Sequence, residues 1–250
     1  MKKQYAWVCA VVFGVSLGTP RFASATSITN GSFESGLAGW TRVDQLGSDG
    51  TFFFQSGTTS PVNGFPVPAP PVGLSSAMKD SGGPGSHALY QDFAVTAATG
   101  ALAFQLYIQN QAVDLDDPNV AFFTSQSSLD FSTPALNQQA RVDILRGGTD
   151  PFTTAPGDVL LNLFQTQAGD PDVSGYTPLT FDLSAIFAAN VGQTLRLRFV
   201  AVDNVAPLVV GVDAVSIQDA PTTPAAVPEP ASMLLLGSGL AWLVLRRRRA

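Results

Sequence analysis

Ala101-Leu102-Ala103-Phe104-Gln105-Leu106-Tyr107-Ile108 sets large apolar side chains at every second position: Leu102, Phe104, Leu106 and Ile108, with Ala101, Ala103, Gln105 and Tyr107 between them. A period of two is that of a β-strand with one buried face. Leu195, Leu197, Phe199 and Ala201 alternate with Arg196, Arg198, Val200 and Val202 in the same way. Working outward from these two stretches, strands are predicted at 51–55, 87–95, 140–145, 159–166, 176–181 and 208–218. One internal helix is predicted at 183–190, with Asp182 as its N-cap and Gly192 just past its end. Residues 56–73 hold five prolines and no alternation, so they read as a long surface loop. Many short strands separated by Gly, Pro, Asn and Asp clusters predict an all-β sandwich or barrel.

The two ends of the chain read as addresses. Lys2 and Lys3 precede an apolar stretch at 6–17, and Ala23-Ser24-Ala25 supplies small residues before a cut, the pattern of a secretory signal peptide over 1–25. Cys9 lies inside that apolar stretch and reads as filler in a discarded segment. The remaining chain has no cysteine, so no disulfide can staple it although its compartment is oxidising. At the other end a Pro/Thr/Ala linker at 220–226 leads to Val227-Pro228-Glu229-Pro230, an apolar run of 15 residues at 231–245, and Arg246-Arg247-Arg248-Arg249. As a helix the run would reach about 22 Å, short of the roughly 30 Å hydrocarbon layer, so it crosses only marginally. The four arginines would hold that end in the cytoplasm and leave everything before the run outside. An ordinary single-span anchor is the plain alternative.

Between the two ends, over 26–226, there are 6 Lys and Arg against 18 acids, and 6 minus 18 gives a net charge of −12. So acidic a body is a poor partner for nucleic acid or anionic lipid and a fair one for divalent cations. About 200 residues suffice for one domain with a sizeable core, at 26–219.

The tail, with Val227-Pro228-Glu229-Pro230, the apolar run containing Gly237 and Gly239, and Arg246 to Arg249, resembles the PEP-CTERM sorting signal of Gram-negative bacteria. That resemblance implies recognition by an exosortase, a membrane protease, with a cut near the Pro-Glu-Pro. It also implies transient anchoring in the inner membrane, then sorting to the cell surface or extracellular matrix. The resemblance covers 227–250 and implies no activity for the body. Asn30-Gly31-Ser32-Phe33-Glu34 with Gly39-Trp40 resembles the first strand of carbohydrate-binding-module-like and galactose-binding-like jelly rolls. Gly192 to Phe199 and Val212-Asp213-Ala214-Val215-Ser216-Ile217 resemble their last two strands. The fold thus implied is a jelly-roll β-sandwich flanked by a signal peptide and a C-terminal hydrophobic helix. In such modules the first and last strands lie side by side and often share a structural calcium ion, and Glu34 and Asp213 stand at the matching positions. Carboxylate and carbonyl oxygens are what Ca²⁺ requires. Against this, Glu34 reads equally as a solvated turn residue and Asp213 as a partner for backbone amides.

Other stretches yield less. Asp114-Leu115-Asp116-Asp117-Pro118-Asn119 fails the EF-hand pattern at its turn glycine and its terminal acid, and reads as a solvated loop. Gly82-Gly83-Pro84-Gly85-Ser86 lacks the lysine of a phosphate loop and reads as a turn. His87 is the only histidine, which excludes a multi-histidine zinc centre, and no Gly-x-Ser-x-Gly accompanies it. With 18 acids, some pair at glycosidase spacing is expected by chance, so their number carries no information. Among aromatics that could stack on a sugar, Trp40 reads as core, while Tyr107 projects opposite Leu106 and Ile108 and is expected on an outer face, in contact with ligand. The sequence thus reads as an exported structural or carbohydrate-binding protein whose partners are an exosortase and an extracellular polysaccharide. The alternatives are a polysaccharide-active enzyme and a tethered surface protein without glycan ligand.

Overall fold

The computed structural model describes residues 26–218 apart from 97, 99, 113–121 and 125. The predicted signal peptide, linker, sorting tail and 114–119 acidic cluster lie outside the described residues. Ten strands are formed: β1 (Thr41–Asp44), β2 (Thr51–Ser56), β3 (Ser75–Asp80), β4 (Gly85–Ala94), β5 (Ala101–Asn110), β6 (Gln138–Arg146), β7 (Val159–Gln165), β8 (Thr177–Asp182), β9 (Thr194–Asp203) and β10 (Leu208–Gln218). They make two five-stranded sheets, β1-β4-β9-β6-β7 and β2-β3-β10-β5-β8. Every strand pairing is antiparallel. Every connection crosses from one sheet to the other except the hairpins β2–β3 and β6–β7. This is the expected jelly-roll sandwich. Among the described residues no helix is long and apolar enough to cross a membrane.

The alternation that predicted β5 and β9 is what fills the sandwich. Leu102, Phe104, Leu106 and Ile108 from one sheet meet Leu195, Leu197, Phe199 and Ala201 from the other in one buried cluster. Phe104 and Phe199 meet edge to face with ring centroids 5.2 Å apart, and Trp40 lies 6.0 Å from Phe199. Each large side chain so buried contributes about 1.5–3 kcal/mol. The single helix, α1 (Ser184–Asn190), starts one residue later than predicted, with Leu183 at the cap position. Asp182 still serves its start, because its Oδ1 accepts the Ser184 amide at 2.8 Å. Gly192 follows the helix end at φ +81°.

Two strands escaped the sequence reading. β1 has only four residues at a sheet edge. β3, Ser75-Ser76-Ala77-Met78-Lys79-Asp80, is buried at all six positions, so it shows no polar face. Its lysine is held by a full set of acceptors: Lys79 Nζ donates to Asp203 Oδ2 at 2.6 Å, Ser81 Oγ at 2.8 Å and the Leu208 carbonyl at 2.9 Å. The ion pair Lys79–Asp203 bridges the two sheets at one end of the sandwich, with both side chains buried.

Candidate functional site

The segment Asn30-Gly31-Ser32-Phe33-Glu34 is a turn, not the strand that its resemblance implied, and four of its five residues have a visible task in it. Asn30 organises the turn, its Nδ2 donating to the Gly36 and Ala38 carbonyls and its Oδ1 accepting the Ser35 amide. Gly31 lies against β10: its carbonyl accepts the Val215 amide at 2.9 Å, and a Cβ at this position would stand 1.8 Å from the Val215 carbonyl oxygen. Phe33 enters the core and stacks near Trp40 at 5.3 Å, while Trp40 Nε1 donates to the Asn30 carbonyl. Glu34 then faces outward. The opening turn and the last strand are therefore adjacent, as the resemblance implied.

Asp213 is the last residue of β10 before an irregularity in the strand. Pairing with β5 runs through Asp213↔Gln105 and resumes at Ser216↔Ala103, one residue out of step, with Ala214 at φ +53°. Asp213 faces away from Val210 and Val212 by the alternation of the strand and lies under the segment 72–75, and the bulge after it brings Val215 back into the core. Its Oδ2 accepts the Val72 amide at 3.0 Å and its Oδ1 the Ala214 amide at 2.6 Å. Glu34 Oε1 grips the same segment, accepting the Leu74 and Ser75 amides at 2.9 and 3.0 Å. The two carboxylates thus converge on one loop, and each has backbone amides for partners. Burial pushes the Asp213 carboxyl up to about 6, the two amides pull it back, and the negative charge of Glu34 adds to the rise. That is an environment a cation would relieve. Among the described residues no third Asp, Glu, His or Cys joins the pair, so any Ca²⁺ there would depend on backbone carbonyls to complete its shell.

Tyr107 corrects one expectation. It does lie on the outer face of the second sheet, opposite Leu106 and Ile108, yet it is only 1% exposed. The proline-rich loop folds down over it, so that Val67, Phe65 and Tyr176 pack around Tyr107, Met78 and Val209. Its hydroxyl donates to Gln109 Oε1 at 2.9 Å, and burial pushes its pKa up to about 12. Its ring has no free face for a sugar. Tyr90 on the other sheet is also covered, with the Arg196 guanidinium 3.7 Å above its ring. His87 is buried and shares a 2.8 Å hydrogen bond between Nδ1 and Asp44 Oδ1. It is structural, and Gly82 to Pro84 form the expected turn before its strand.

The accessible polar surface is elsewhere, on loops that the strand pattern did not single out. The segment 147–157 is fastened over the outer face of the first sheet by two arginines of β9. Arg198 Nη1 donates to the Pro151 and Thr153 carbonyls at 2.8 Å, and its Nη2 to Asp143. Arg196 is held by both oxygens of Asp92 and donates to the Thr149 carbonyl. Leu129, Phe131 and Phe152 seat this segment and 126–135 on Ala88, Val200 and Val202. Between the two segments opens a cleft of about 360 Å³, walled by Gln45, Ser128, Asp130, Asp150, Phe152 and Thr154. Asp130 is held below the usual carboxylate range by hydrogen bonds from Ser132 and Gln45, so it stays ionised. The cleft therefore offers hydroxyls, an amide, two carboxylates and one aromatic ring.

No curated protein sequence matches the chain. The structure is similar to TmCBM61 solved with β-1,4-galactotriose, at 8% identity and a TM-score of 0.44, over 79% of this chain and 100% of that one. It is similar to a cleaved adhesin domain of Lys-gingipain from Porphyromonas gingivalis, at 14% identity and a TM-score of 0.45, over 76% and 96% of the two chains. It is also similar to a Stig cyclase from Fischerella, at 18% identity and a TM-score of 0.41, over 79% and 100%. Residues 226–249 match the PEP-CTERM protein-sorting motif, and this tail marks the chain as an exported surface protein, anchored in the membrane before an exosortase processes it.

Proposed function

We propose that the chain is displayed at the cell surface or in the extracellular matrix of a Gram-negative cell, where its jelly roll binds polysaccharide without turning it over. The cleft carries this reading. A sugar ring presents hydroxyls that both give and take hydrogen bonds, together with an apolar face, and Gln45, Ser128, Thr154, Asp130, Asp150 and Phe152 supply the complementary groups. Asp130 and Asp150 put negative charge at the cleft of a body whose net charge is −12, so neutral sugars are favoured over uronic acids. Calcium shared between Glu34 and Asp213 would be structural, tying the opening turn, the 72–75 segment and β10 together at a distance from the glycan.

The test is binding of the exported protein to a panel of the producer's own exopolysaccharides. We expect retention on at least one neutral polymer, lost in Phe152→Ala without loss of folding. Failure to bind any of them rejects the proposal. Turnover of a bound glycan, abolished by Asp130→Asn or Asp150→Asn, would instead establish a polysaccharide-active enzyme.

A further inference from the structure

We infer that the interior of the sandwich holds a second binding site, for a small uncharged apolar molecule about the size of one or two fused rings. Where β7 ends one sheet and β8 ends the other, the two sheets part and leave a pocket of about 190 Å³. Its apolar walls are Leu106 and Ile108 of β5, Phe123, Phe164 of β7 and Leu179 of β8. Leu106, Ile108 and Phe123 form the buried floor, while Pro171 and Thr177 are exposed and form the rim.

The chemistry of the occupant follows from what the polar walls are already doing. Ser174 Oγ accepts the Ile108 amide at 2.9 Å, and Thr166 Oγ1 accepts the Ala140 amide at 3.0 Å. Asp170 Oδ2 accepts the Gln167 amide at 2.8 Å, and Thr177 Oγ1 donates to the Gly175 carbonyl at 3.3 Å. Ser174 and Thr177 hold the strap 170–175, which the backbone also ties down through Asn110 N to the Asp172 carbonyl and Ser174 N to the Ile108 carbonyl. The Ser174 and Thr166 hydroxyls each accept and donate within the chain, and Asp170 can only accept and would repel an anion, so the pocket rewards apolar contact and offers nothing to a negative charge. An apolar cavity of about 150 Å³ in another protein stays dry and takes up benzene, so a space of this size suits a ring. A sugar, which needs a hydrogen bond at nearly every carbon, is unsuited to it. The site is thus independent of the cleft.

The experiment is a titration of the full protein with indole, read by saturation-transfer NMR and by thermal shift. We expect saturable binding of one molecule per chain with a raised Tm, and at least tenfold weaker binding of benzoate, which has a ring but also a charge. Leu179→Trp, filling the pocket, should abolish indole binding, and so should Thr177→Trp, which closes the exposed rim and disturbs no core contact. Phe152→Ala in the cleft should leave indole binding unchanged. No saturable indole binding by the wild type overturns the inference. So does binding that survives in folded Thr177→Trp, or benzoate binding as tight as indole.

Discussion

Lys79→Met would remove the one cation in β3 while keeping its length and apolar bulk. What remains is Asp203, 1% exposed, between the sheets with only the Ser81 hydroxyl and the Leu208 amide donating to its Oδ2. Burial drives Asp203 up from its ordinary value and Lys79 down from its own, the mark of a pair whose desolvation is heavy and whose members depend on each other. Removing one partner of such a pair costs about 3–5 kcal/mol, because the survivor is a buried uncompensated charge. For a domain of this size that corresponds to a Tm lowered by about 6–20 °C.

The same reasoning gives an opposite result for the double replacement. In Lys79→Met with Asp203→Leu no charge is left behind, and apolar replacement of a buried pair is often neutral or stabilising. The hydrogen bonds that Lys79 gave to Ser81 and the Leu208 carbonyl, and those that Asp203 took from Ser81 and the Leu208 amide, are lost, but no buried charge remains, so much of the stability should return. The assay is urea unfolding of wild type, both single variants and the double variant, analysed as a cycle. A loss under about 1 kcal/mol in Lys79→Met would refute the reasoning. A double variant as unstable as the sum of the singles would refute it as well.

Four further outcomes are expected. Asp213 is raised from 3.8 to about 6 in the folded chain, so its contribution to stability is fully present below pH 3.8 and is lost as pH rises through about 6. In chelator, Tm should fall over that window by the equivalent of at most about 3 kcal/mol, Asp213→Asn should flatten the fall, and added calcium should raise Tm above pH 6; a calcium-insensitive Tm rejects the ion. Gly31→Ala should lower Tm by far more than Gly157→Ala, because its Cβ would meet the Val215 carbonyl oxygen whereas nothing lies within 4 Å of the other; equal Tm values would contradict that contact. Tyr107→Phe removes one hydrogen bond and should cost about 1 kcal/mol without altering glycan retention, and a loss of retention would return Tyr107 to the binding site. Protein from the native host should lack most residues after Pro230 by intact mass, and arginines 246–249 still present in most molecules would contradict processing.

Alternation made most of the sandwich legible, since Leu102 to Ile108 and Leu195 to Ala201 send their large apolar side chains, at every second position, into one core cluster. It failed at Ser75 to Asp80, where polar side chains are buried because particular partners satisfy them: Lys79 by Asp203, and Ser76 by a 3.2 Å bond to Gln55. A pattern of residue types has no record of such partners, which come from 21 and 124 positions away. The motif at Asn30 to Glu34 pointed to the neighbourhood of the last strand but to the wrong local structure, a strand where the chain makes a turn organised by the Asn30 side chain. The covering of Tyr107 was not legible. Period two assigns a side chain to a face of its own sheet, and whether a loop then folds over that face depends on residues such as Phe65 and Val67, set in a stretch without periodicity.

That distinction also decides where function can reside in this molecule. Both outer sheet faces begin as plausible platforms, and on each an aromatic ring is covered, Tyr107 by a loop and the half-buried Tyr90 by the Arg196 side chain. On one face Val67 and Phe65 lie over Tyr107, and on the other Arg196 lies over Tyr90 while holding the 147–157 segment by its carbonyls. The strands therefore supply fixed anchors, chiefly the arginines of β9 and Asp213 of β10, and the segment that the arginines hold walls the cleft proposed for the glycan. Variation at Gln45, Ser128, Asp130, Asp150, Phe152 and Thr154 can alter the cleft without touching the core cluster around Phe104 and Phe199. Binding can change while the fold stays, because the residues that face solvent and the residues that hold the sheets together are different sets.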